Sequence, residues 1–126
     1  MSLFANLLGN VAEVSAEDAQ AEFAPILVDQ EQVVKAFRLF RDMVVMTNLR
    51  LIIVNKQGLT GSKQFVKSIP YKSIKSFAKE SAGFLDADAE LSIWLTGEAQ
   101  PLQWEFSSGV DINEVYRHLS YYVLRG

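Results

Sequence analysis

The chain contains no cysteine, and that one absence removes disulfide stapling, thiolate nucleophiles and cysteine-ligated zinc together. Histidine occurs once, as His118, so a metal site or a Ser/His device has no second imidazole to draw on. No apolar run approaches the roughly 18 to 20 residues that a spanning helix needs. The N-terminus lacks a basic region followed by an apolar stretch, so a signal peptide is not expected. A cytoplasmic location fits these absences. The 126 residues leave room for one core, and with 49% hydrophobic and 21% charged residues the chain has the composition of a folded domain.

Positive charge is missing from residues 1–32, which carry six acids and no Lys or Arg. Residues 33–79 reverse this, with ten basic residues against Asp42 alone, and residues 80–126 return to eight acids against Arg117 and Arg125. Such an acidic, basic, acidic order suits a head-to-tail oligomer. It equally suits one monomer in which the blocks neutralise each other, which is the plainer expectation because sequence-segregated charge often mixes in space.

Leu3, Phe4, Leu7 and Leu8 share one face of a helix over residues 2–9. Ser15 is a good N-cap for a second short helix that Pro25 ends, with Glu17 and Asp18 in the first turn where the helix dipole favours acids. From Val33 to Phe106 the pattern becomes seven short β-rich runs, 33–40, 43–47, 50–56, 62–69, 73–80, 89–96 and 102–106, separated by turn signals. Alternation buries Leu91, Ile93 and Leu95, then Leu102, Trp104 and Phe106, and turns Ser92, Trp94, Gln103 and Glu105 to the other face. Leu51 to Val54 is apolar throughout, so that strand should be covered on both faces. Asp111 and Glu114 form a capping-box pattern, and Ile112, Val115, Leu119, Tyr122 and Val123 make one helical stripe, with Glu114 and His118 opposite. Burying that stripe would contribute on the order of 10 kcal/mol before entropy is subtracted.

These readings give a mainly β domain with α segments: a bent seven-stranded antiparallel sheet or barrel over residues 33–107, capped by a C-terminal helix at 111–125 and preceded by a short-helix segment at 1–32. The residues also carry a family resemblance. Thr47-Asn48-Leu49-Arg50-Leu51-Ile52, the hairpin from Asn55 through Gly58-Leu59-Thr60-Gly61 to Lys63, and Ser68-Ile69-Pro70-Tyr71-Lys72-Ser73-Ile74 resemble successive junctions of the bacterial pleckstrin-homology-like domains. Glu80-Ser81-Ala82-Gly83-Phe84, then Asp86-Ala87-Asp88-Ala89-Glu90-Leu91 ahead of Ile93-Trp94, are similar to that family's most distinctive stretch, and Leu8-Gly9-Asn10 extends the likeness to the N-terminus. The resemblance implies a pleckstrin-homology-like fold of uncharacterised function. It also implies homo-oligomeric rings of about five copies, whose sheets meet between protomers.

No catalytic, cofactor or metal site is expected. Asp86, Asp88 and Glu90 alternate like a calcium loop, but Leu91 stands where that loop needs glycine. Gly58 and Gly61 join two strands, not a strand and a helix, so they read as a hairpin and not as a phosphate loop. The expected function is a non-enzymatic, homo-oligomeric protein-interaction module, with itself and an unidentified protein as partners and no nucleic acid. Its surface is placed on Arg50, Lys63, Glu80, Asp86, Asp88, Glu90 and Trp94, with Arg50 and Lys63 on other strands of the same sheet as the acids. The alternative is a peripheral domain that binds anionic lipid head groups or a small ligand through the basic 35–79 segment, led by Lys35, Arg38 and Arg41.

Overall fold

The computed structural model describes residues 12–38, 42–57, 63–81, 88–107 and 109–125. Ser15 caps the first described helix, α1 (Ala16–Phe23), by accepting a bond from the Asp18 amide at 3.0 Å. Among the described residues eight strands surround it in sequence: β1 (Ala12–Val14), β2 (Val33–Arg38), β3 (Asp42–Thr47), β4 (Arg50–Gln57), β5 (Lys63–Pro70), β6 (Ile74–Ser81), β7 (Ala89–Leu95) and β8 (Leu102–Phe106). A last helix, α2 (Ile112–Arg125), follows.

The strands form two antiparallel sheets, one ordered β1-β2-β3-β4-β5 and one ordered β6-β7-β8. Two expectations change here. The single bent sheet of seven strands is two sheets of five and three. The eighth strand is β1, inside the segment read as purely helical, where Glu13 pairs with Phe37 of β2. The expected helix over residues 2–9 and the Gly58–Gly61 turn lie outside the described residues. A 3-10 turn at Tyr71–Ser73 separates β5 from β6 and so divides the sheets. Gly97 turns β7 into β8 with a φ of +84°, a left-handed conformation that glycine adopts without steric cost.

The main core lies between the sheets. Phe37, Val44, Met46, Leu51 and Ile53 of the five-stranded sheet face Leu91, Ile93, Leu95, Trp104 and Phe106 of the other. The Phe37 and Phe106 rings meet edge to face at 4.9 Å. Helix α2 plugs this layer with Val115 and Leu119 buried and Ile112, Tyr122 and Val123 packed alongside, as the stripe predicts. A second core covers the outer face of the five-stranded sheet, where Ala19 and Phe23 of α1 pack on Ala36, Met43, Val45, Ile52 and Val54. The unbroken apolar run Leu51–Val54 is thus divided residue by residue between two cores.

Asp111 caps α2 by accepting from the amides of Asn113 and Glu114 at 3.1 and 3.2 Å. Glu114 does not complete the capping box. Its carboxylate lies 2.8 Å from Lys35 Nζ, so the helical face assigned to solvent is used there for an ion pair.

Candidate protein-interaction surface

The outer face of the three-stranded sheet is built by register. Glu80 of β6 lies directly opposite Glu90 of β7, which lies opposite Glu105 of β8. The next row is Ala78, Ser92 and Gln103, and Ser76 stands opposite Trp94 in the row after. Strand alternation places all of these on the side away from Leu91 and Ile93. Three carboxylates therefore stand in one line across three strands, and among the described residues no cation pairs with any of them.

Gln103 is the polar link on this face. Its Nε2 donates to Ser92 Oγ at 3.1 Å and to Glu90 Oε1 at 3.5 Å, and Ser92 is only 7% exposed. Trp94 is half-buried and lines a cleft of about 270 Å³ with Lys75, Ser76, Glu98 and Ala99. Helix α1 does not cover this tryptophan, because it packs on the other sheet. Clefts of similar size lie beside α2, at Arg117, His118, Tyr121 and Tyr122, and beside α1, at about 330 and 340 Å³. All are open; the two beside the helices sit at the small end of the range for ligand pockets, and the Trp94 cleft falls just below it.

The sequence-assigned surface is brought together only in part. Glu80, Glu90 and Trp94 share the outer face, and Asp88 is half-buried just before β7. Asp86 lies outside the described residues. Lys63 is exposed at the start of β5. Arg50 and Lys63 belong to the five-stranded sheet and the glutamates to the three-stranded one, so the expectation that they share a sheet is corrected. Arg50 is instead an internal clasp. Its Nε and Nη2 reach Glu31 Oε2 and Oε1 at 2.8 and 3.0 Å, and its remaining donors reach the Ile26 carbonyl at 2.7 Å and Ser68 Oγ at 2.9 Å. Glu31 is buried and also accepts from Thr47 Oγ1 and the Val28 amide. Burial raises its pKa, but the bonds from Arg50, Thr47 and Val28 outweigh that and hold the carboxyl below its usual range. Tyr71 donates to the Thr47 carbonyl at 2.6 Å beneath this clasp, and burial pushes its phenol well above the ordinary range.

The basic trio of the lipid reading is likewise dispersed. Lys35 is 7% exposed, with Nζ 2.8 Å from both Glu13 and Glu114. Burial lowers its pKa, and the two carboxylates more than restore it. Arg38 lies 3.4 Å from Glu22, and Arg41 is outside the described residues. Among the described residues no three His, Asp or Glu side chains are placed to hold a metal ion, and no helix is long and apolar enough to cross a membrane.

Sequence reasoning turned Ser92, Gln103 and Glu105 outward with Trp94 but left them off the assigned interaction surface. Their alternation was readable, but the signal that joins them is the pairing of β7 with β8 across the Gly97 turn.

A family model described as a bacterial PH domain matches residues 2–123. The uncharacterised protein YjqA of Bacillus subtilis is 43% identical over 121 residues, which is 95% of this chain and 97% of YjqA. A DUF1696 family protein with a pleckstrin-homology domain from Shewanella loihica superposes with a TM-score of 0.82 at 43% identity, covering 91% of this chain and 98% of that one. A pleckstrin homology domain from Shewanella amazonensis does so with a TM-score of 0.73 at 41% identity, over 87% and 99% of the two chains.

Proposed function

Because the chain belongs to the bacterial PH-domain family, we propose that it works without catalysis, as a homo-oligomeric protein-interaction module. The observation that carries this reading is β5. It is an eight-residue edge strand, bonded to β4 on one side, with no strand on the other among the described residues. Proteins usually blunt such edges by shortness, bulges, proline or charge. β5 carries Lys63, Lys67 and Pro70, yet it runs in unbroken register from Lys63 to Pro70 without a bulge and leaves Phe65 49% and Val66 45% exposed at its middle.

Lys63 and Lys67 flank that apolar pair, whereas the edge strand β8 exposes Gln103 and Glu105. A basic edge on one copy meeting an acid-bearing edge on the next is a heterologous contact, and such contacts close into rings when the rotation permits. A ring of about five copies follows the family resemblance. A cytoplasmic location accords with the cysteine-free composition.

Light scattering tests the reading. Wild type should run as one multimer across micromolar concentrations. Phe65→Lys combined with Val66→Lys should give a folded monomer with an unchanged circular dichroism spectrum, because both side chains are half exposed within the protomer. A monomeric wild type, or a double variant that keeps the multimer, would refute it.

A further inference from the structure

The rows on the outer face of the three-stranded sheet differ in kind, and the difference runs along the strands. One end is the carboxylate line of Glu80, Glu90 and Glu105. The middle is low, with Ala78, Ser92 and the tethered Gln103. The other end is Trp94 and its cleft of about 270 Å³. We propose that this face docks an extended cationic segment of a partner protein, with a Lys or Arg side chain set on the carboxylate line and an apolar side chain in the cleft beside Trp94.

Like charges directly opposite on neighbouring strands destabilise a sheet, and this face carries two such pairs in succession. Elsewhere, acids are paired with cations: Glu31 with Arg50, Glu13 and Glu114 with Lys35, Glu22 with Arg38, Glu98 with Lys67. The glutamate line has no such partner among the described residues, and an incoming cation would supply one. Its sign also selects the ligand, since nucleic acid and anionic lipid would be repelled.

The Trp94 cleft is a second feature, independent of the acids. It falls below the usual size of a small-molecule pocket and suits a single side chain, and a half-buried tryptophan is a frequent interface anchor. The two ends match in spacing. Glu90 and Trp94 are four residues apart on β7, or about 13 Å at the rise of a strand. An extended ligand spans that distance with a cation and an apolar residue about four positions apart, and those two side chains project from the same side.

The proposal goes beyond self-association, for Glu80, Glu90 and the Trp94 cleft lie on β6 and β7, away from the β8 edge proposed to meet β5 of the next copy, and a monomer would carry it equally well. Calorimetry of the full chain with a short blocked peptide tests it, the peptide carrying Lys and, about four residues on, Leu in a Ser/Thr background. Binding should be measurable and should weaken with salt. Replacing Lys by Glu, or Leu by Ser, in the peptide should weaken it about tenfold. The variant Glu80→Gln, Glu90→Gln, which spares Glu105 at the β8 edge, should lose binding by at least as much while melting no lower than wild type. No binding at millimolar peptide, or equal binding of the Glu peptide or by this variant, would overturn the proposal. So would loss of oligomeric mass in this variant, because the face would then be a contact between copies.

Discussion

The outer faces of the two sheets have opposite fates. That of the five-stranded sheet is roofed by α1 and filled by Ala36, Met43, Val45, Ile52 and Val54. Its buried carboxylate, Glu31, accepts from a backbone amide, a hydroxyl and two guanidinium nitrogens. The three-stranded sheet leaves three glutamates in line, with one amide near one of them. Cations are not scarce in this chain. The ion pairs of Lys35, Arg38, Arg50 and Lys67 each join the basic middle block to one of the acidic flanks. Internal neutralisation is therefore partial, and among the described residues no ion pair reaches Glu80, Glu90 or Glu105. Carboxylates of the first kind serve architecture, and those of the second kind are the ones on which the docking proposal rests.

Arg50→Ala attacks the satisfied side and should have the largest effect. It would leave Glu31, whose side chain is fully buried, without its cation, and stranding one member of a buried pair costs about 3 to 5 kcal/mol. Against a typical total of about 5 to 15 kcal/mol, urea titration should show a much lower midpoint. Lys35→Met should do far less. The lysine stem is already buried, and the abandoned Glu13 and Glu114 side chains, 45% and 43% exposed, can return to water.

Acidification separates the same two groups. The Glu31 carboxyl is held below its ordinary value of 4.5, so its contribution to stability is present in full above that value and is lost as pH falls through the lower, folded one. Wild type should lose stability steeply below about pH 4.5. Glu31→Gln, though weaker at neutral pH, should lose less over that window. Equal slopes in melting temperature against pH would show that other carboxylates dominate acid unfolding.

Local pattern made most of the fold readable. β-rich runs between turn signals marked the seven longer strands, alternation gave the faces of β7 and β8, and a five-residue stripe marked α2. β1 was hidden because Ala12-Glu13-Val14 has no periodicity of its own and exists through its pairing with β2. The division into two sheets was hidden for a similar reason, since it depends on how the Tyr71–Ser73 turn redirects the chain. At the site, the outward parity of Trp94, Gln103 and Glu105 was legible, whereas the line Glu80–Glu90–Glu105 required the register of three strands. Arg50 was placed on the wrong surface because charge in a sequence does not name its partner, and Glu31 lies 19 positions away.

The smallest predicted effect tests the comparison most directly. Glu90 stands between Glu80 and Glu105 and is the most enclosed of the three. Glu90→Gln keeps the shape and the acceptor for Gln103 while removing one charge from both like-charge pairs. Cross-strand pairs of this kind contribute a few tenths of a kcal/mol, so the variant should be slightly more stable than wild type at low salt. The gain should shrink at high ionic strength, where exposed charges are screened over shorter distances. A substitution that raises stability by removing a native charge marks a charge not kept for folding. Paired thermal melts at low and high salt resolve the difference. If Glu90→Gln is instead destabilising at both, Glu90 has an internal role like that of Glu31, and the contrast between the two faces disappears.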